Sequence, residues 1–306
     1  MREDEKLVIK VPASTANLGP GFDSIGLALN LYLTVEVFPG SEWKVVYLTN
    51  ELHDFPEDES NFICATAIKT AAKYGKEMPG CHLRVSSEIP LARGMGSSAA
   101  AIVAGIELAD SVCQLGLSKQ EKFELASQLE GHPDNAGASL FGGLVIGCLN
   151  GGEANAAVFN DIYFDIVAVV PKEELLTEAS RQVLPELLDF KEAVAAGAIS
   201  NVLIAALLSG NWQLAGKMMA ADRYHHPYRR KLVPHLSRIE AIAAESGAFG
   251  TALSGAGPAV ICFVERGKGD KLASSLRKQI PDMDVLSLEM DRTGSNVETE
   301  YYQVYK

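Results

Sequence analysis

The run Pro90-Leu91-Ala92-Arg93-Gly94-Met95-Gly96-Ser97-Ser98-Ala99-Ala100-Ala101 constrains this chain more than any other stretch. Two glycines and two serines stand directly before a series of small helix formers. Glycine lets the backbone turn sharply and approach a ligand with no side chain in the way. A helix starting near Ser98 aims its unpaired N–H groups and the positive end of its dipole into the loop, so an anion belongs there. A nucleoside triphosphate is the obvious candidate, and the Ser97 and Ser98 hydroxyls can bond phosphate oxygens or ligate Mg²⁺. The spacing is neither GxxxxGK[ST] nor GxGxxG followed by an acid at the expected distance, so such a nucleotide sits on another scaffold. Taken alone, the loop is equally a plain glycine turn with a serine N-cap.

Two further loops share its character. Pro12 to Asp23 is rich in Gly, Pro and small polar residues, and Asn17 and Asp23 are its strong hydrogen-bonding groups for an amine or hydroxyl ligand. Both can instead satisfy backbone amides in a structural turn. Ser254-Gly255-Ala256-Gly257-Pro258 lies between two strand candidates, as a tight hairpin turn or a close approach to phosphate. Three such loops exceed what turns require, and together they suggest one site assembled from both halves of the chain.

Between the loops, Leu7–Val11, Gly26–Val37, Trp43–Leu48, His82–Ser86 and Gly142–Leu149 read as strands. Asn61–Tyr74 reads as a helix stopped by Gly75, and a second runs from Ser98 to Leu115. Ser118-Lys119-Gln120-Glu121 is a capping box for a helix ending near Gly131, and Pro133 opens another. The turn Asn150–Ala154 marks a domain boundary, giving domains 1–155 and 156–306. The second half reads as strand Tyr163–Val170, helices Ser180–Leu188, Phe190–Ser209 and Trp212–Asp222, and a longer helix after Pro227. Strands Phe249–Leu253 and Ala259–Val264, helix Gly269–Gln279 and strand Asp284–Glu289 follow. Without a regular βαβ period, the pattern favours α+β.

Composition removes several function classes. A chain of 306 residues with 47% hydrophobic content can fill two cores. Its net charge of −12, with scattered cations, argues against a nucleic-acid or anionic-membrane surface. No apolar run reaches the roughly 18–20 residues of a membrane span. Met1–Lys10 has no apolar signal core, so a cytoplasmic protein is expected. Cys64, Cys81, Cys113, Cys148 and Cys262 form no CxxC, and buried or semi-buried free thiols are expected rather than zinc or disulfides.

The three loops, in this order, resemble the three motifs of the GHMP kinase superfamily. The opening PASTANLGPGFDSIGLAL is similar to the homoserine kinases within it. So are Glu130-Gly131-His132-Pro133-Asp134-Asn135 with Leu140-Phe141-Gly142-Gly143, Thr177-Glu178-Ala179-Ser180-Arg181 with Val183-Leu184-Pro185, and Asp222-Arg223-Tyr224-His225-His226-Pro227-Tyr228-Arg229. The resemblance spans nearly the whole chain. It implies an N-terminal ribosomal-protein-like α+β domain with a left-handed βαβ crossover and a C-terminal ferredoxin-like α/β sandwich. It implies ATP-dependent conversion of L-homoserine to O-phospho-L-homoserine in threonine biosynthesis, by a homodimer.

The resemblance also distributes roles. Pro90 to Ala100 and the glycines Gly255 and Gly257 fall to ATP, with Ser98 and Glu130 holding Mg²⁺. Glu130 and His132 stand two apart, where many homoserine kinases carry a longer insert, so the Glu130 role crosses an alignment gap. Asn17 and Asp23 suit the ammonium and hydroxyl end of homoserine, beside His132 and Asn135. Arg181 and Arg229 suit the carboxylate, which a guanidinium matches bidentately, and Thr177 bonds near the reacting phosphate. The early loop offers Ala16-Asn17 where mevalonate-type relatives use Asp with a cation. Catalysis by positioning and electrostatics, with no dedicated base, is therefore expected, as a loose phosphoryl-transfer transition state permits.

Overall fold

The computed structural model describes residues 4–301. β1 (Glu5–Asn17) and β2 (Gly21–Pro39) form a long antiparallel hairpin. Sequence placed a loop from Pro12, but β1 continues to Asn17. The small side chains Ala13, Ser14, Thr15 and Ala16 are buried there, and register shifts at Pro12/Ala13 and Ala16/Asn17 absorb the irregularity. β3 (Lys44–Tyr47) lies parallel to β4 (Cys81–Ser87), with α1 (Phe62–Lys73) between them in the chain. Asn61 caps α1 and the Ser118/Glu121 capping box forms as read.

α2 (Ser97–Cys113), α3 (Lys119–Glu130) and α4 (Pro133–Phe141) follow, then the hairpin of β5 (Leu144–Asn150) and β6 (Glu153–Phe159). The seven-stranded sheet has the path β11-β1-β2-β4-β3, with β5 on β2 and β6 on β5. The division expected at 155/156 falls inside β6, whose pairing with β5 runs to Phe159. β11 (Asn296–Tyr301) was not read from sequence, because its polar, mostly exposed residues carry no apolar alternation, yet it pairs along β1.

The second half holds β7 (Phe164–Val170), α5 (Thr177–Gln182), α6 (Phe190–Leu208), α7 (Trp212–Ala220), α8 (His226–Arg229), α9 (Leu236–Glu245), β8 (Gly250–Leu253), β9 (Val260–Glu265), α10 (Gly269–Gln279) and β10 (Asp284–Leu288). Its sheet has the antiparallel order β10-β7-β9-β8, the arrangement of a ferredoxin-like sandwich. Successive strand residues point to opposite faces. Ile166, Ala168, Ile261 and Phe263 therefore join the large core shared with the first sheet, α6 and α7. Val167, Val169, Val260 and Cys262 enter a second core with Leu236 and Ile239 of α9 and Leu272 and Leu276 of α10.

Four expectations need correction. The helix expected over 180–188 is α5, ending at Gln182, because Pro185 removes a donor and biases Leu184 away from helix. The long helix expected after Pro227 is broken: Pro234 forces Val233 to φ −128° and ψ 72°, so α8 and α9 are separate. α6, at 19 residues, is long and apolar enough to cross a membrane by length and composition. Lys191, Glu192, Ser200 and Asn201 interrupt its apolar run in the sequence, and here Ala196, Leu203, Ala206 and Leu207 bury one side of it. All five cysteines are free, but Cys148 is exposed, at an outward position of β5.

Candidate active site

The three glycine loops meet, and their glycines record how closely. Gly94 has φ 74°, and a Cβ on it would fall 2.1 Å from the carbonyl oxygen of Ser254. A Cβ on Gly96, at φ 75°, would fall 2.0 Å from Ser14 Oγ. Each glycine of the middle loop is thus required by a neighbouring loop, independently of any ligand. The Ser254 hydroxyl lies 2.7 Å from the Gly94 carbonyl and 2.9 Å from Thr15 Oγ1. Asn17 Nδ2 donates to the Gly255 carbonyl at 3.0 Å, while Asn17 Oδ1 accepts the Asp23 N–H at 3.0 Å. The structural role open to Asn17 in sequence is therefore filled. Asn17 and Asp23 also sit at φ 74° and 52°, a left-handed backbone that non-glycine residues hold only where surroundings enforce it.

The loops wall a cleft of about 270 Å³. Asn17, Asp23, Ala92, Gly94, Met95, Gly96, Ser97, Ser98, Glu130, His132, Asn135, Thr177, Arg181, Arg229 and Gly255 all line it. Pro90, Leu91, Arg93, Ala99, Ala100 and Gly257 do not. Ala99 and Ala100 are buried beneath the first turn of α2, and the third loop contributes Ala256 in place of Gly257. Arg93 is a clear correction. Its guanidinium turns to the other half of the chain, bonding the carbonyls of Pro171 and Lys172 and pairing with Glu174 at 2.9 Å. The middle loop's one cation is spent on joining the two halves of the chain.

At one end of the cleft, Ser98 Oγ donates to Glu130 Oε2 at 2.9 Å, so the two oxygens assigned to Mg²⁺ lie side by side at the start of α2. Both are hard oxygen donors of the kind a small divalent cation takes. Burial raises the Glu130 carboxyl above its usual range, against the pull of His132 and the Ser98 bond. Burial opposes charge on His132 as well. Its bond to Asp134 Oδ1, at 2.5 Å, and the nearby carboxylates carry its pKa above the ordinary value nonetheless. Asp134 Oδ1 also accepts the Asn135 N–H at 2.6 Å, and Asn135 Oδ1 accepts from Ser14 at 2.9 Å.

At the other end, Arg181 of α5 grips Asp23 bidentately, at 2.8 and 3.0 Å. That bond, above all, raises the Arg181 pKa. Arg229 is only 2% exposed and donates from Nε to the Ser180 carbonyl at 3.1 Å and from Nη1 to Gly255 at 2.9 Å. Burial, then Arg181, lowers its pKa to about 10, so it stays charged at neutral pH. Both guanidiniums lie over the Phe22 ring, at 5.6 Å for Arg181 and 5.3 Å for Arg229.

Phe22 and Ala256 line the cleft without having been expected there, and so does Asp134, which from sequence is either an available base or a cap for the helix begun at Pro133. Phe22 had a signal in its place between Gly21 and Asp23; Ala256 had none beyond lying between two glycines. A mostly apolar hollow adjoins the cleft, walled by Tyr47, Phe55, Phe62, Leu91 and Ala101 and sharing Ser97 and Ser98 with it.

Comparison with known proteins agrees with this geometry. Residues 61–143 match the family profile described as GHMP kinases N terminal domain, and residues 203–282 that described as GHMP kinases C terminal. A homoserine kinase of Bacillus licheniformis is 51% identical over 290 residues, 95% of each chain. One of Bacillus velezensis is 50% identical over 97% of each. A Listeria monocytogenes structure designated a homoserine kinase superposes with a TM-score of 0.83 at 43% identity, covering 95% of this chain and 99% of that one.

Proposed function

Because the chain belongs to the homoserine kinases of the GHMP kinase family, we propose that its cleft transfers the γ-phosphoryl group of ATP to the side-chain hydroxyl of L-homoserine. The products are O-phospho-L-homoserine and ADP, and the step belongs to threonine biosynthesis. The observation that carries this reading is one cleft with two chemically different ends. Ser98 and Glu130 stand at the start of a 17-residue helix at one end, and Asp23, Arg181 and Arg229 at the other.

On this reading the Gly94–Ser98 backbone and the N-terminus of α2 hold the phosphates. The adjoining apolar hollow takes the base, since it shares Ser97 and Ser98 with the cleft. Ser98 and Glu130 would hold Mg²⁺, which neutralises charge on the phosphates. Asp23 receives the substrate ammonium, with Asn17, His132 and Asn135 beside it. Arg181 and Arg229 receive the carboxylate, and Thr177 faces the reacting phosphate. The carboxylates nearest the acceptor already have partners: Asp23 is held by Arg181, and Asp134 by His132 and Asn135. This supports catalysis by positioning, without a dedicated base. Pairing of two copies is part of the same proposal, tested by light scattering.

A coupled ADP-release assay with homoserine, mevalonate and serine tests the function. Turnover with homoserine at least a hundredfold more efficient than with the others is expected. ADP release with none of the three, or with mevalonate preferred, overturns it.

A further inference from the structure

The tandem His225-His226 at the start of α8 has no task in the reaction just described. With Asp222 the two rings form a buried cluster of a composition that holds metal ions. Their ligand atoms are already committed. The Asp222 carboxylate accepts the N–H groups of Tyr224 at 2.7 Å, His225 at 3.1 Å and His226 at 2.7 Å. His226 Nε2 accepts the Leu253 N–H at 2.9 Å. His225 Nε2 lies 2.9 Å from the Gly19 carbonyl, and its Nδ1 lies 3.2 Å from Arg229 Nη1. The cluster is a hydrogen-bond hub, complete without an ion.

The partners of His225 fix its state. A carbonyl can only accept and a guanidinium can only donate. Nε2 must therefore carry the proton and Nδ1 the lone pair, so the ring is neutral and in one tautomer. The Asp222 carboxylate, 3.5 Å from Nε2, also favours a proton on that nitrogen. A second proton on Nδ1 would face the Arg229 N–H directly. Burial, His226 and Arg229 hold the pKa of this ring well below its usual value, in keeping with that arrangement.

His225 thereby reaches three parts of the amino-acid end of the cleft at once. Nε2 ties it to the early loop at Gly19. Its ring packs against Phe22 at 5.5 Å, and the Arg229 guanidinium lies over that same Phe22 ring. Among the described residues, Nδ1 is the one side-chain acceptor on Arg229; the other bonds of that guanidinium group go to the backbone carbonyls of Ser180 and Gly255. We propose that neutral His225 is a positioning residue that sets Arg229 against the early loop and thereby fixes where the carboxylate of the amino-acid substrate is received. The proposal rests on the functional reading above, in which Arg229 meets that carboxylate.

Two substitutions divide the two hydrogen bonds of the ring. In His225→Asn the side-chain oxygen stands where Nδ1 stood and still accepts from Arg229. In His225→Gln the amide nitrogen stands where Nε2 stood and keeps the Gly19 bond, while the acceptor for Arg229 is lost. The expected result is a homoserine KM raised about tenfold or more in His225→Gln, the cost of one hydrogen bond to a charged group. The KM for ATP and kcat should stay within about twofold, and His225→Asn should recover most of the homoserine KM. Equal homoserine KM values in the two variants, or a parallel rise in the KM for ATP, would mean His225 only packs, and would overturn the proposal. Wild-type protein that turns over ATP but never with homoserine overturns the functional reading instead. A nitrogen-detected NMR spectrum of the wild-type histidines needs no folded variant. The His225 ring should be the Nε2–H tautomer, remain neutral at pH 5.5, and shift when homoserine is added without nucleotide. An Nδ1–H tautomer, titration near pH 6.5, or no response to homoserine contradicts the proposal.

Discussion

Asp23 and Arg181 neutralise each other inside the cleft through two parallel hydrogen bonds of 2.8 and 3.0 Å. One is read as the partner of the substrate's ammonium, the other of its carboxylate. A zwitterion entering between them would exchange one ion pair for two, so the Asp23–Arg181 pair holds both charges in a compensated form. Both side chains keep about a third of their surface in contact with solvent, at 34% and 38%. Such pairs contribute only about 0–1 kcal/mol to stability.

Asp23→Asn should therefore separate function from folding. We expect the homoserine KM to rise at least about tenfold, in line with the loss of a charge-assisted bond. The midpoint of urea unfolding should move by less than about 1 kcal/mol equivalent. Steady-state kinetics beside a urea melt checks both, and a large stability loss with an unchanged KM would refute the assignment.

Gly94→Ala should fail in the opposite way. The added Cβ meets the backbone oxygen of Ser254 at 2.1 Å and also the Gly257 oxygen at 2.8 Å, at a φ of 74°. No flexible side-chain end is available to move aside. A loss of roughly 2–4 kcal/mol is expected from left-handed strain and overpacking combined, measured by denaturant titration, with ATP turnover falling at the same time.

The raised pKa of Glu130 predicts a pH signature. On the proposed role of Glu130, metal binding needs the carboxylate, so protons would compete with Mg²⁺ at higher pH than they would at an ordinary glutamate. Apparent Mg²⁺ affinity should fall by up to about tenfold per pH unit as pH drops through that pKa, and the dependence should flatten in Glu130→Gln. Without metal the sign reverses. Glu130 and His132 both have folded-state pKa values above their usual ones, so the folded state binds protons more tightly. Their stabilisation is fully present below the unfolded pKa values and is lost as pH rises through the folded ones. Thermal melts in chelator across pH 4–8 read this directly.

Ala101 lines the apolar hollow one turn into α2. Ala101→Phe should fill it, raising the KM for ATP by about tenfold or more while leaving the homoserine KM within about twofold, since the ring takes volume from the base alone. A rise confined to homoserine would move the nucleotide elsewhere.

How much of this was legible in the sequence varies by element. The capping box at Ser118, the asparagine cap at Asn61 and the start of α2 were legible, because local hydrogen bonding decides them. The Pro12–Asn17 segment was misread as loop, since its strand character comes from pairing with β2 and not from its own side chains. The direction of Arg93 was illegible for a similar reason. Its partners at Pro171, Lys172 and Glu174 lie about eighty residues away. Among the candidate site residues, Asn17, Asp23, Glu130, His132, Arg181 and Arg229 came together, while Arg93 and Gly257 of the loops did not line the cleft; the role of His225 depends on which of its nitrogens meets Gly19 and which meets Arg229.

β11 has a consequence for how the molecule is made. During synthesis on the ribosome β1 emerges long before the strand that pairs along Glu5–Lys10, which lies at Asn296–Tyr301. Until then one margin of the first sheet keeps its unpaired N–H and C=O groups, which can recruit a strand from another nascent chain. A polypeptide truncated near residue 290 would retain every residue of the cleft and still lack this closure. It should therefore be recovered as aggregate, even though its catalytic apparatus is complete.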